Sequence, residues 1–284
     1  MRCAKPVAGS MNKVFYFTDI HGNLKLFDAA IKYCEQIDPN YTLIFGGDAI
    51  DRGKDGYKIM KALLNNPHVI YLKGNHEDMF VAAAREFKQH FPNPQFDEKR
   101  LDTILSSTMA FDYKYPALQL SIANNGKQTI KDWFLDGLDT ELINKLDKLP
   151  LTYSYKNLDF CHAGGVYQGF AATNKDKFVI ENLLWNRTAF DYGWAPERIC
   201  IHGHTPTVAM PRKYSKNMLV ENAQPIKYRG DFDDKYTGYK INMDTGAIWS
   251  NRLYLLDCDS LTFTLLDGST PEVQITENAP IKCQ

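Results

Sequence analysis

The sequence predicts an α/β fold: a sheet of parallel βαβ units, a second sheet packed on it, and helices flanking the pair. Three observations lead there. The first third alternates short apolar runs with amphipathic helical stretches. Those runs are continuously apolar rather than alternating, as in strands covered on both faces. The second half returns to short apolar runs separated by turn residues, the pattern of further strands. An apolar fraction of 44% and an aromatic fraction of 13% supply material for a substantial core.

Residues 14–17 (VFYF) read as the first buried strand, and a helical pattern follows from 24 to about 36. Residues 42–45 (TLIF) form the second strand, 56–65 a helix, 69–72 the third strand, and a further helix is expected from about Met79. Pro92, Pro94, Pro116 and the NNGKQT turn at 124–129 then break the rhythm. Between 90 and 150 the chain is left with charged helix-like pieces, including 138–149, expected as a helical insertion beside the site. Strand-like runs return at 151–155, 158–161, 199–201, 240–242 and 252–257. A single domain over 11–266 is expected, with 267–284, polar and carrying two prolines, as a peripheral tail. Residues 1–10, before Met11, read as an expression remnant. The tryptophans are expected in the core.

Composition narrows the function classes. A formal net charge of −1 argues against a surface for nucleic-acid polymers. No apolar run approaches the ~18 residues of a membrane span, so no membrane partner is expected. The six cysteines are scattered without a CxxC pair, which suggests reduced thiols and a cytoplasmic location.

The chemistry concentrates at strand ends. TDIHGN, GGDAIDRG and KGNHED each follow one of the first three strands, and DFCHAGG and CIHGHTP repeat the theme in the second half. Taken alone, GGDAIDRG reads equally well as a solvated turn. Ligands of open α/β sheets bind at the carboxyl ends of strands, however, so these loops should converge on one rim. They carry Asp19, His21, Asp48, Asp51, Asn75, His76, His162, His202 and His204, five of the seven histidines in the chain. Carboxylate, imidazole and amide oxygen suit divalent ions such as Mn, Fe or Zn. Asp19 and His21, two apart on an extended segment, point the same way. Asp48, with two oxygens, is the natural bridge between two ions. Such a pair activates a water and clamps the oxygens of an in-line displacement at phosphorus.

In this order, DIHGN, GGDAIDRG, KGNHED, CHAGG and HGHTP resemble the signature blocks of calcineurin-like metallophosphoesterases over roughly residues 13–250. They are most similar to the phosphoprotein phosphatase branch, including its small bacterial and phage serine/threonine phosphatases. The resemblance implies two mixed sheets forming a sandwich flanked by helices, with a dinuclear metal site at the carboxyl ends of the strands. It implies one ion held by Asp19, His21 and Asp48, and a second held by Asp48, Asn75, His162 and His204. Mn is the expected pair, with Fe or Zn as alternatives. His202 precedes the GHT of this branch and is expected beside the ligands rather than among them. His76 is implied as the general acid that protonates the leaving alkoxide, oriented by Asp51. Arg52 offers a planar fork to phosphate. Arg187, ending LLWNR, resembles the second phosphate-binding arginine, with a solvated helix end as the competing reading. Glu77 and Asp244 are expected to shape the structure. The implied activity is hydrolysis of phosphomonoesters on a phosphoprotein or phosphopeptide by a metal-bridging hydroxide attacking in line. The alternative is a symmetrical dinucleoside tetraphosphate hydrolase, with a nucleotide as substrate.

Overall fold

The computed structural model describes residues 12–108, 114–173, 176–232 and 234–284. The stretch expected to be an expression remnant lies outside the described residues. Strand β1 (Val14–Phe17) leads through α1 (Leu24–Ile37) to β2 (Thr42–Phe45), then through α2 (Gly56–Asn65) to β3 (Val69–Tyr71). The three strands pair in parallel, in register from Val14↔Thr42 and from Leu43↔Val69. Next come α3 (Asn75–His90), α4 (Glu98–Thr108), α5 (Pro116–Ala123), α6 (Lys127–Leu135) and α7 (Thr140–Asp147). The chain continues through β4 (Thr152–Tyr155), β5 (Leu158–Cys161), α8 (Tyr167–Ala171), α9 (Lys177–Leu184), β6 (Ile199–His202) and α10 (Arg212–Ser215). It closes with β7 (Ile226–Tyr228), β8 (Tyr239–Asn242), α11 (Ala247–Ser250), β9 (Arg252–Asp257), β10 (Thr262–Asp267), β11 (Gln274–Thr276) and β12 (Lys282–Cys283).

Two mixed six-stranded sheets result, in the orders β11-β10-β9-β1-β2-β3 and β12-β7-β8-β6-β5-β4. The period-two alternation of a strand explains how they stack. Phe15, Phe17, Leu43 and Phe45 face a helical layer containing Leu26, Phe27, Ile59, Met60 and Phe80. Val14, Tyr16 and Ile44 face Phe160, Ile201 and Ile241 of the second sheet. Phe17 and Phe45 are fully buried; each contributes about 1.5–3 kcal/mol by leaving water.

Several expectations need correction. The run at 252–257 does not join the second sheet. As β9 it pairs antiparallel with β1 in the first, because Leu253 and Leu255 belong to the helical core while Tyr254 and Leu256 face the other sheet. Strands β7, β10, β11 and β12 were not anticipated; β11 and β12 are short edge strands built from the polar C-terminal stretch. Helix α3 begins at Asn75, not near Met79. Its first turn is polar, so apolar periodicity starts late; what stabilises it is acidic Glu77 and Asp78 at the positive end of the helix dipole. Trp133 and Trp194 are core residues, but Trp249 is 56% exposed and Trp185 is only partly buried.

Candidate metal centre

The centre forms where strand ends of both sheets meet. Asp19 and His21 follow β1, Asp48 follows β2, Asn75 and His76 open α3 after β3, His162 follows β5 and His204 follows β6. Backbone bonds lock these loops together: Asp19 N–H donates to Gly47 O (3.0 Å), His21 N–H to Asp48 O (3.1 Å) and Gly203 N–H to His162 O (2.8 Å). The close approach needs glycine. A Cβ on Gly47, at φ +97°, would stand 2.6 Å from Gly74 N, and one on Gly74 would stand 2.1 Å from Asp48 Oδ1.

The backbone is strained where the side chains converge. Asp19, His21, Asp48, Asp51, Arg52 and His204 have φ of 53°, 44°, 60°, 67°, 63° and 69°. Left-handed conformations cost non-glycine residues of order 1–3 kcal/mol each and persist only where the surroundings enforce them, commonly at functional sites. Glu77 is one enforcer. Its buried carboxylate accepts from the N–H groups of Asp48, Ala49 and Gly74 (each 2.9 Å) and from the Tyr71 hydroxyl (2.8 Å). Its expected structural role is therefore specific: it braces the loop that carries Asp48.

Among the described residues, two groups have atoms of ligand type within 4.8 Å of one another: His21 and Asp48 with His76 beside them, and Asp48, His162 and His204. Asp48 belongs to both, as a bridge must. Asp19 lies beside them, with Thr18 Oγ1 donating to it at 2.6 Å and the His204 N–H reaching both of its oxygens at 3.1 Å. Asn75 Oδ1 sits 2.9 Å from both His162 Nε2 and His204 Nδ1.

The donors fit divalent cations. His21 Nδ1 donates to Ile50 O (2.8 Å) and His162 Nδ1 to Gly46 O (2.9 Å), which leaves each Nε2 turned inward. Ligating histidines are typically oriented through their second nitrogen in this way. His204 turns Nδ1 toward Asn75 Oδ1, 2.9 Å away, so Nδ1 is the nitrogen it offers to this cluster. Burial opposes charge at Asp48, yet the imidazoles of His162 and His76 hold its carboxyl well below the usual range. Burial likewise opposes charge at His162, but Asp48 and Asp19 raise its pKa to about 10. The carboxylates thus create a negative potential that demands positive charge. His202 is buried too, but its ring is satisfied, with Nε2 2.9 Å from the Tyr228 hydroxyl and Nδ1 3.1 Å from Gly203 O. Burial pushes its pKa down to about 3, and it stays outside both groups.

His76 Nδ1 lies 2.7 Å from Asp51 Oδ2; the carboxylate can only accept, so the ring donates. Burial disfavours the imidazolium, but the carboxylates of Asp48 and Asp51 outweigh it and raise the His76 pKa. Arg52 reaches His21 Nε2 (2.5 Å) and His76 Nε2 (3.2 Å) and lies 5.1 Å from the Trp249 ring centroid. Arg187 donates to His204 O (3.0 Å) and Thr205 Oγ1 (3.2 Å). Arg187 is itself exposed, but these bonds tie it to the loop that carries His204. Asp244 Oδ1 accepts from Gly246 N–H at 2.8 Å and shapes that turn.

The family model described as calcineurin-like phosphoesterase matches residues 13–233. The chain belongs to this family. Calcineurin-like phosphoesterases are metal-dependent hydrolases, and together with the two clusters this membership indicates two divalent ions acting on phosphorylated substrates. Solved structures similar to this phosphoesterase include one assigned as a diadenosine tetraphosphatase, at 15% identity and TM-score 0.48, covering 95% of this chain and 96% of that one. A metallophosphoesterase from Sphaerobacter thermophilus is similar at 13% identity and TM-score 0.43, covering 95% and 89%. A protein serine/threonine phosphatase from Saccharomyces cerevisiae is similar at 12% identity and TM-score 0.39, covering 95% and 81%. No curated protein matches. Among the described residues, no helix is long and apolar enough to cross a membrane.

Two residues at the centre escaped the sequence reading. Trp249 sits in a short turn block with no periodic pattern. Thr129 lies 78 positions from Asp51 in the chain yet donates to it, and no local pattern announces a contact so distant.

Proposed function

We propose that this phosphoesterase hydrolyses phosphomonoesters of alkyl alcohols, as a serine/threonine protein phosphatase does. The observation that carries this reading is the buried Asp51–His76 pair at 2.7 Å, beside Asp48. An alkoxide such as the serine side chain is a poor leaving group and needs a proton in the transition state. A nucleoside diphosphate leaves as a stabilised anion and gains far less from an acid. The pair therefore favours phosphoprotein or phosphopeptide substrates over dinucleoside tetraphosphates, the alternative reading.

Asp19, His21, Asp48, Asn75, His162 and His204 would hold the two ions, with Mn the proposed metal. Bound there, the ions supply Lewis acidity toward phosphoryl oxygens and a water nucleophile at neutral pH. The chain supplies the rest. Asp51 fixes the His76 tautomer, so that Nε2 faces the site and delivers the proton. Arg52, beside His21 and His76, and Arg187, beside His204, would orient the non-bridging phosphate oxygens.

The test is a parallel assay, with and without Mn, of a phosphoserine and phosphothreonine peptide panel, diadenosine tetraphosphate and p-nitrophenyl phosphate. The proposal expects turnover of peptides above the dinucleotide, and a His76→Asn variant that retains metal. That variant should lose roughly 10²–10⁴-fold on phosphoserine and less on p-nitrophenyl phosphate. Preference for the dinucleotide would establish the alternative. No turnover of any substrate in the metal-loaded protein would point to a phosphoprotein-binding scaffold.

A further inference from the structure

The NNGKQT turn and the helices between 90 and 150 have no part in the chemistry described so far. Their place in the fold gives them one. The α5–α6 turn is tight: Gly126 N–H donates to Ser121 O (2.8 Å), and a Cβ on Gly126 would stand 2.3 Å from Ser121 Oγ. This turn meets the GGDAIDRG loop directly, through Arg52 N–H donating to Asn125 O (3.3 Å). One turn into α6, Thr129 Oγ1 donates to Asp51 Oδ1 at 2.5 Å. Both residues are shut off from water, Thr129 at 2% exposure and Asp51 at 0%. The other Asp51 oxygen holds His76.

Helix α6 is also anchored to the helix that carries His76. Trp133 packs edge-on against Phe80 and Phe87 of α3, with centroids 5.9 and 6.1 Å away. The three-membered chain Thr129–Asp51–His76 is therefore held at both ends by one packed helical unit. A short O–H···O⁻ bond is among the stronger hydrogen bonds available to a side chain. With Thr129 on one oxygen and His76 on the other, both oxygens of the Asp51 carboxylate are tethered.

We propose that Thr129 is a positioning residue: its hydroxyl fixes the Asp51 carboxylate and, through it, the His76 imidazole, which makes the helical segment part of the proton-delivery apparatus. The kinetic side of this claim rests on the phosphomonoesterase reading above; the positioning itself does not.

The test uses Thr129→Val, which keeps the shape and loses the hydroxyl, and Thr129→Ser, which keeps the hydroxyl and loses the methyl. On a phosphoserine peptide, Thr129→Val should lower kcat roughly 10-fold with KM and metal content unchanged, the scale seen when an orienting partner is removed. On p-nitrophenyl phosphate the loss should be under about 3-fold, because less protonation is needed. Thr129→Ser should restore parental values. If Thr129 serves packing alone, the order reverses and Ser is the poorer variant. A readout independent of turnover separates this claim from the proposed function. In protein with isotope-labelled histidine, the His76 Nδ1–H resonance, assigned by its loss in His76→Asn, should shift or broaden by solvent exchange in Thr129→Val and persist in Thr129→Ser. A resonance unchanged in Thr129→Val overturns the proposal whether or not the protein hydrolyses phosphomonoesters. A shifted resonance in a protein with no phosphatase activity keeps Thr129 as a positioning residue and removes the proposed substrate class.

Discussion

Replacing Glu77 with glutamine tests how the loop carrying Asp48 is held. Glu77 Oε1 accepts from Ala49 N–H and the Tyr71 hydroxyl, and Oε2 accepts from Asp48 N–H and Gly74 N–H. An amide offers only one oxygen. With its NH₂ in the Oε1 position, the Tyr71 hydroxyl can turn to accept, but the Ala49 N–H is left buried and unpartnered. With its NH₂ in the Oε2 position, two backbone donors are orphaned, so the first orientation should prevail. One buried orphan costs about 1–3 kcal/mol, and each bond retained drops from charged to neutral strength, about 1 kcal/mol apiece. Removing a buried negative charge beside Asp48 offsets part of this, because desolvation and then the Asp48 carboxylate already raise the Glu77 pKa. The net expectation is a loss of about 2–4 kcal/mol in Glu77→Gln. Urea unfolding of parent and variant, both stripped of metal and with equal m-values, measures it. Metal content of the reloaded variant should also fall, since the loop presenting Asp48 is loosened. A stability change under about 0.5 kcal/mol would mean that the Glu77 carboxyl is neutral in the fold and that the charged brace is wrong.

Asp48→Asn should lose metal and activity together, because the residue belongs to both ligand groups; native-like metal by elemental analysis would refute its bridging role. Arg52→Lys and Arg187→Lys should bind metal normally but lose at least ~10-fold in kcat/KM on phosphomonoesters, about 1.4 kcal/mol, since a lysine cannot reproduce the planar fork. An Arg187→Lys variant indistinguishable from the parent would return Arg187 to a helix-end role. Burial lowers the Lys240 pKa to about 8 from 10.5, so its charged form is disfavoured in the fold and stability rises with pH between those values. Measured against Lys240→Met by urea unfolding, the parent should gain about 2 kcal/mol between about pH 7.5 and about pH 9.5. A flat difference across that range would show that the lysine titrates normally.

The ligand types and their positions at strand ends were legible in the sequence because both are local properties. A continuous apolar run such as Thr42–Phe45 needs two covered faces, and the Gly and Asp residues after it mark where the strand must stop. Asp48, His162 and His204 could be nominated from spacing and residue type, since carboxylates and imidazoles recurring at strand ends leave few other readings. What local pattern cannot carry is pairing between distant segments. The placement of β9 beside β1, rather than in the second sheet, depends on which faces remain to be buried once the helices have docked. The start of α3 at Asn75 depends on Glu77, whose partners Asp48 and Ala49 lie 29 and 28 positions away. The hydroxyl of Thr129 on Asp51, and Trp249 over Arg52 instead of in the core, arise only when the helical segment and the α11 turn are folded against the strand ends. Residue chemistry nominated the centre. Tertiary packing decided which side chains hold it in shape, because hydrogen bonds and burial act through space and not along the chain.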